Sequence, residues 1–143
     1  ILVTHDVFEA FDLCDRICIM DDGKVQQVGR AKELLFHPEN KFVSSFLSTH
    51  RFQLELMSVS IQDLSNGGFL ALGKDPESGN SFSENSAFNL KSTVFSILDS
   101  QAGEVHVTDT GEGTSYSIGT VTREQVLDAY LEWSKNQRRG KYG

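Results

Sequence analysis

The spacing of apolar and polar positions changes several times along the chain, and each spacing predicts a different element. Residues 1–4 are apolar and mostly β-branched, which is typical of a buried strand. Residues 7–13 place apolar side chains around an acid and suit a short helix. Residues 16–28 predict two strands of a hairpin, because Asp22 and Gly23 form a strong turn signal between them.

Helical spacing follows the hairpin. Residues 31–36 and 41–47 predict two helices, and Pro38 separates them because proline cannot continue the first. Residues 52–61 are rich in apolar side chains and predict the end of a helix followed by a strand. This part of the chain is therefore expected to mix helices with short strands.

The second half of the chain begins with a polar segment. Serine, asparagine and glycine dominate residues 73–89, which predicts a long surface loop or an irregular hairpin. A helix, two strands and a final helix are then predicted at 92–100, 104–108, 116–121 and 123–133. The final helix is expected to pack through one apolar face. That face consists of Val126, Leu127, Tyr130 and Leu131.

These elements suggest two modules and a tail, without any internal repeat. The character of the sequence changes near Ser48, so we expect one module over residues 1–47 and a second over residues 48–133. Residues 134–143 hold basic side chains and no acid. Such a tail is either a solvated, frayed terminus or a surface that anionic lipid attracts.

Composition narrows the class of protein. The chain has 143 residues, 38% of them hydrophobic and 23% charged, which describes a soluble globular protein. No apolar run approaches the roughly 18 residues that a bilayer-spanning helix needs. A formal net charge of -7 argues against nucleic acid as a partner, since phosphate backbones require a basic face.

Cysteine usage indicates a reducing compartment. Cys14 and Cys18 are too few for a disulfide framework, and we expect both thiols to be buried. Their spacing resembles half of a metal site, but no second pair of cysteines or histidines completes it. The sequence therefore predicts no metal site within this chain.

An ordered series of short motifs identifies the family that the first module resembles. The motifs are, in order, Val3-Thr4-His5-Asp6, Glu9-Ala10, Asp15-Arg16, Met20-Asp21-Asp22-Gly23-Lys24, Gln27-Val28-Gly29, Glu33-Leu34, Pro38, Phe42-Val43 and Phe46-Leu47. Together they make residues 1–47 resemble the C-terminal end of an ATP-binding-cassette (ABC) transporter ATPase. The implied fold class is α/β: the end of a P-loop ATPase core, followed by a small α+β module.

The resemblance implies a catalytic role for His5. In this family the histidine at the corresponding position is the switch histidine, which donates a hydrogen bond to the γ-phosphate of ATP and helps to orient the attacking water. An imidazole at the carboxyl end of a strand is suitably placed for this, because open α/β sheets bind ligands at that edge. In the alternative interpretation, His5 caps a strand end and contacts only backbone. We expect the neighbouring Asp6 to be a helix N-cap and not a catalytic base.

The family's other motifs are missing from the sequence. There is no G-x-x-x-x-G-K-[ST] loop, no strand ending in a magnesium-binding aspartate with its adjacent glutamate, and no signature glycine motif. Residues 111–114 form the nearest glycine-rich turn, which we interpret as a hairpin turn. The resemblance thus implies ATP and Mg²⁺ as cofactors of a longer parent protein. The chain alone is expected to bind neither strongly and to be inactive.

The resemblance also implies partners and a location. The parent would work with transmembrane permease subunits and a second copy of the ATPase subunit, and indirectly with a substrate-binding protein. It would lie peripherally on the cytoplasmic face of the membrane.

Residues 92–133 resemble a different module, the cystathionine-β-synthase (CBS) motif. In members that bind nucleotides, a hydroxyl at the position of Thr122 contacts phosphate and an acid at the position of Gln125 contacts ribose; here the acid is replaced by an amide. In the alternative interpretation, Thr122 is the N-cap of its helix, Gln125 completes a capping box, and the module dimerises without a ligand. ATPases with CBS modules often serve glycine betaine or proline importers, so the expected substrate is such an osmolyte.

Overall fold

The chain divides into two compact units, Ile1–Ser58 and Val59–Gly143. The computed structural model describes residues 1–72, 87–100, 102–111 and 114–139. The division falls ten residues after the expected boundary near Ser48, because the helix at Arg51–Ser58 packs against earlier helices. Helices and strands are mixed in both units, which confirms the α/β class.

The first unit contains four helices and one hairpin. Its elements are α1 (Val7–Leu13), β1 (Ile17–Asp21), β2 (Lys24–Gly29), α2 (Ala31–Phe36), α3 (Lys41–Ser48) and α4 (Arg51–Ser58). The predicted strand at residues 1–4 does not form, and Ile1 and Val3 are fully or almost fully exposed. Among the described residues, no strand is paired with this segment, and an unpaired segment has no ladder of hydrogen bonds to hold it.

The hairpin is confirmed in both its strands and its turn. Strands β1 and β2 pair antiparallel, with Ile17 opposite Gly29 and Asp21 opposite Lys24. Asp22 has φ 46° and Gly23 has φ 71°. Both central residues therefore take the left-handed conformation that a two-residue hairpin turn requires. Asp21 therefore ends β1 and Asp22 forms the turn, and both have a structural role in the hairpin.

The two faces of the hairpin differ in what they contact. Ile17 and Ile19 are buried in the core of the unit. The alternate side chains of β1 and their partners on β2 point to the other face, which we call the outer hairpin face. This face consists of Cys18, Met20, Val25 and Val28, all of which are exposed. Met20 and Val25, which are paired with each other, are each 58% exposed.

A buried glutamine joins the hairpin to the helices that follow. Gln27 donates through Nε2 to the carbonyl of His37 at 3.0 Å and accepts through Oε1 from the amide of Glu39 at 3.0 Å. These bonds fix the segment around Pro38. Asn40 then caps α3 by accepting from the amide of Val43 at 2.9 Å. The most deeply buried core residues of the unit include Leu34, Leu35, Val43, Leu47 and Leu54.

The prediction of a strand at the end of residues 52–61 is wrong. Ser60 and Asp63 form a capping box, in which the Ser60 amide donates to Asp63 Oδ2 at 2.8 Å and the Asp63 amide donates to Ser60 Oγ at 3.3 Å. This local chemistry begins a new helix at Ile61. What remains of the predicted strand is a single β-bridge between Ser60 and Thr93.

The described residues of the second unit form a three-stranded sheet and three helices. Its elements are α5 (Ile61–Asn66), β3 (Ala87–Asn89), α6 (Val94–Asp99), β4 (Glu104–Gly111), β5 (Thr114–Thr122) and α7 (Arg123–Arg139). The sheet order is β3-β4-β5, with β3 parallel and β5 antiparallel to β4. Most of the loop predicted at residues 73–89 lies outside the described residues, and its end is strand β3.

Helix α7 is longer than predicted. It continues through Arg139, so residues 134–139 of the expected tail are helical and not frayed. Val126 and Tyr130 are buried as expected, together with Trp133. Leu131 was also expected on the packed face, but it is 40% exposed. The 17-residue helix instead buries a stripe that runs through Ala129 and Ser134.

Candidate functional site

Hydrogen bonds from both neighbours fix the backbone at His5. Thr4 Oγ1 accepts from the amide of Asp6 at 3.0 Å. Asp6 Oδ1 accepts from the amides of Phe8 at 2.8 Å and Glu9 at 3.3 Å. Asp6 is therefore the N-cap of α1, as predicted, and its carboxylate is occupied by the first turn of the helix. His5 lies on the bend between these two bonded residues.

Packing beneath the bend holds α1 in position. Phe11 is buried, and the ring of Phe8 makes an edge contact with the ring of His50, with centroids 4.9 Å apart. Helix α1 also packs against α4. The helix that follows the bend is therefore held by packing. The exposed imidazole of His5 extends from a backbone of defined conformation.

The side chain of His5 is chemically available. Within the described residues its imidazole is exposed and forms no hydrogen bond or ion pair. A neutral imidazole offers one N–H donor and one acceptor, and a protonated one offers two donors. It is therefore able to donate to a phosphate oxygen. The catalytic role of His5 was expected at the carboxyl end of a strand. Among the described residues, residues 1–4 are not a strand, so His5 does not follow a sheet edge here.

Thr122 and Gln125 form a capping box at the start of α7. The Thr122 amide donates to Gln125 Oε1 at 2.8 Å, and the Gln125 amide donates to Thr122 Oγ1 at 3.2 Å. This is the geometry of the alternative interpretation, in which the pair begins a helix. The guanidinium of Arg123 adds a hydrogen bond to the carbonyl of Ser100 at 2.6 Å, which ties this helix start to the end of α6.

The predicted site residues are divided between the units. His5 belongs to Ile1–Ser58, whereas Thr122 and Gln125 belong to Val59–Gly143. The structure brings the last two together. Each unit therefore has its own candidate site.

Sequence reasoning missed a buried ion pair in the first unit. Arg51 Nε lies 2.7 Å from Glu55 Oε1, and Glu55 is completely buried. Arg51 also donates through Nη2 to the carbonyl of Leu35 at 2.7 Å and stands 5.9 Å from the ring centroid of Phe36. The i,i+4 spacing of the two charged residues on a helix was the signal available in the sequence. This cluster joins α4 to α2.

The cysteines differ in burial and neither forms a disulfide. Cys14 is half-buried, whereas Cys18 is exposed on the outer hairpin face, so the expectation of two buried thiols is wrong for Cys18. In the described part of the chain, no group of three or more histidine, cysteine or acidic side chains is arranged to hold a metal ion. None of the described helices combines the length and apolar character needed to cross a membrane.

Comparison with known proteins finds relatives that match part of the chain. The chain is 44% identical over 64 residues to a maltose/maltodextrin import ATP-binding protein of Vibrio vulnificus, covering 45% of this chain and 17% of that protein. It is 48% identical over 52 residues to a spermidine/putrescine import ATP-binding protein of Pseudomonas fluorescens, covering 36% and 14%. A sulfate/thiosulfate import ATP-binding protein of Nocardia farcinica is 49% identical over 47 residues, covering 33% and 14%.

The relatives share one class, although their named substrates differ. They are ATP-binding subunits of ABC importers, and the likeness covers part of the chain. The chain spans less than a fifth of the length of these relatives. No protein-family model matches the chain. No solved structure matches it at a significant level.

Proposed function

We propose that the first unit is part of the ATP-binding subunit of an ABC importer, which couples ATP hydrolysis to transport. The relatives, all named as import ATP-binding proteins, carry this proposal. The ordered motifs of residues 1–47 agree with it. The longer protein would sit on the cytoplasmic face of the membrane with permease subunits, a second ATPase copy and, indirectly, a substrate-binding protein.

His5 is the proposed catalytic residue of this unit. Its imidazole is exposed, and Thr4 and Asp6 fix the bend that carries it. In the complete subunit, ATP would supply the phosphoryl group and Mg²⁺ would neutralise its developing charge. The role of His5 is to donate one hydrogen bond to a γ-phosphate oxygen and to hold the attacking water in line. The groups that hold the other phosphates and the metal belong to the rest of that subunit.

Alanine substitution in the complete ATP-binding subunit tests this role. His5→Ala is expected to lower kcat by about 100-fold or more, since one lost donor at a developing charge costs this much in other enzymes. ATP binding should change little, because the other phosphate contacts remain. The matched control is His37→Ala, which removes another exposed histidine of the same unit. An ATPase rate in His5→Ala equal to that of the control would refute the catalytic role.

The proposed substrate is glycine betaine, proline or a similar quaternary amine. This rests on the second unit alone, where α6, β4, β5 and α7 follow one another in the order of the CBS resemblance at residues 92–133. The relatives reported above are named for import of sugars, polyamines and sulfate, so they lend this substrate no support. Uptake of radiolabelled glycine betaine, maltose, spermidine and sulfate by the reconstituted importer decides between them. Uptake of any substrate other than the osmolyte would overturn the assignment.

A second candidate function is regulatory, with the second unit binding a nucleotide or mediating dimerisation. The capping box gives Thr122 Oγ1 and Gln125 Oε1 a role in starting α7 that needs no ligand, which is compatible with dimerisation without a nucleotide. Phe95 on α6 is 38% exposed and offers an apolar contact. Sedimentation of the wild-type chain and of Phe95→Ser tests dimerisation. Titration with ATP, AMP and cyclic dinucleotides tests the nucleotide site, and micromolar binding would favour the sensor.

A further inference from the structure

The helix that follows the His5 bend is too short to be stable alone. Helix α1 has seven residues, fewer than the roughly 12–15 that an isolated helix needs in water, so tertiary contacts must hold it. Of these seven residues only Phe11 is buried. A helix that is held chiefly at one residue can pivot there. The position of the bend therefore depends on a further contact.

Phe8 supplies a contact at the N-terminal end of α1. Its ring meets the ring of His50 edge to face, with centroids 4.9 Å apart and planes inclined at 64°, an arrangement that aromatic pairs prefer. Phe8 lies in the first turn of the helix, and its amide donates to Asp6 Oδ1 at 2.8 Å. The ring contact therefore acts on the end of α1 that carries His5.

His50 is itself held by the start of α4. Its carbonyl accepts from the amide of Leu54 at 3.0 Å, and Leu54 is fully buried. The next residue, Arg51, donates through Nη2 to the carbonyl of Leu35 on α2 at 2.7 Å. An exposed imidazole can keep its nitrogens in water while an apolar edge contacts another ring. His50 therefore offers Phe8 a fixed surface.

Hydrogen bonds transmit the position of α1 to His5. Asp6 is bonded to the helix through its carboxylate and through its carbonyl, which accepts from the amide of Ala10 at 3.2 Å. On the other side of His5, Thr4 Oγ1 accepts from the amide of Asp6 at 3.0 Å. Asp6 lies about 8 Å from Phe11 along the helix axis, so a pivot of about 10° at Phe11 would shift the bend by about 1 Å.

We propose that His50 is a positioning residue for His5 and acts through the ring of Phe8. The ring contact fixes the first turn of α1 and, with it, the place from which the imidazole of His5 donates. A misplacement of about 1 Å can lower a rate by about 100-fold. This inference rests on the proposed catalytic role of His5. It adds that a residue at the start of α4 sets how well His5 performs that role.

Steady-state ATP hydrolysis by the complete ATP-binding subunit tests the proposal. His50→Ala is expected to lower kcat about tenfold, less than a permanent misplacement would, because α1 still reaches the correct position part of the time. The KM for ATP should change by less than about twofold, since other groups carry the binding. His50→Phe keeps an aromatic edge and should retain most of the wild-type kcat. The matched control is His37→Ala, and a kcat of His50→Ala equal to that of this control would refute the proposal.

A double-mutant comparison separates positioning from a general loss of stability. In His5→Ala the imidazole that needs positioning is gone, so adding His50→Ala should leave kcat unchanged. A merely structural defect would lower kcat by the same factor in both backgrounds. Additive effects of the two substitutions would therefore overturn the positioning role.

Amide hydrogen exchange in the chain itself gives a readout that requires no ATP hydrolysis. The amides of Phe8 and Glu9, which cap on Asp6, should exchange about fivefold faster in His50→Ala, because the aromatic pair no longer holds the first turn. They should exchange at the wild-type rate in His50→Phe. Unchanged exchange in His50→Ala would refute the contact's role even if His5 proves catalytic. Full activity of His5→Ala would instead refute the proposed function, whatever the exchange shows.

Discussion

Replacement of Arg51 by methionine is the sharpest test of the packing in the first unit. The change removes three contacts of the guanidinium group: with Glu55 Oε1 at 2.7 Å, with the Leu35 carbonyl at 2.7 Å, and with the Phe36 ring at 5.9 Å. Methionine keeps most of the apolar length of the side chain. The substitution therefore removes mainly electrostatic interactions, and these lie at the contact between α4 and α2.

The expected magnitude follows from burial. A hydrogen bond to a charged group contributes about 1.5–3 kcal/mol, and breaking a buried ion pair costs about 3–5 kcal/mol. Glu55 is fully buried, but the side chain of Arg51 is 27% exposed, so water screens part of the interaction. We therefore expect the free energy of unfolding to fall by about 2–4 kcal/mol, a large share of the 5–15 kcal/mol typical of a native domain.

Hydrogen exchange gives a local measurement of this loss. Amides of α4 should exchange faster in Arg51→Met, and urea denaturation should show a lower midpoint. Arg16→Met is the matched control, because Arg16 is an exposed arginine of the same unit, and it should change stability by less than about 0.5 kcal/mol. Arg51→Lys should fall between the two, since lysine keeps the charge without the planar fork. Equal stability of Arg51→Met and Arg16→Met would show that the cluster contributes nothing.

Two further predictions concern helix and turn chemistry. Thr122→Ala removes the side-chain acceptor of the α7 capping box and should lower the free energy of unfolding by about 1 kcal/mol, whereas Thr122→Ser should be nearly neutral; thermal denaturation measures both. Gly23→Ala forces a Cβ into the left-handed conformation at φ 71° and should cost about 1–2 kcal/mol, with Gly23→Asn less affected. A thermal midpoint of Gly23→Ala at or above that of Gly23→Asn would contradict the turn assignment.

Local chemistry was readable from the sequence. Asp6 before a helical pattern predicts an N-cap, and Thr122 with Gln125 predicts a capping box; both are observed because each depends on residues at most three positions apart. The turn at Asp22 and Gly23 was predictable for the same reason. Such interactions are formed within one segment, whatever the rest of the fold does.

Long-range packing was not readable in this way. Residues 1–4 have the composition of a buried strand, but Ile1, Leu2 and Val3 are exposed, because a strand depends on a partner that its own sequence does not specify. The charge of Glu55 predicts a surface position. Its partner Arg51 lies on the same helix, but the carbonyl of Leu35 that also accepts from Arg51 belongs to another helix.

The outer hairpin face has a consequence for handling the protein. It carries the exposed thiol of Cys18 among apolar side chains, so two molecules that meet through this face bring their thiols together. Air oxidation of the chain should then yield disulfide-linked dimers that a reductant converts back to monomers. The same thiol is a ready attachment point for a fluorophore or spin label, and its alkylation rate reports whether another surface has covered the hairpin.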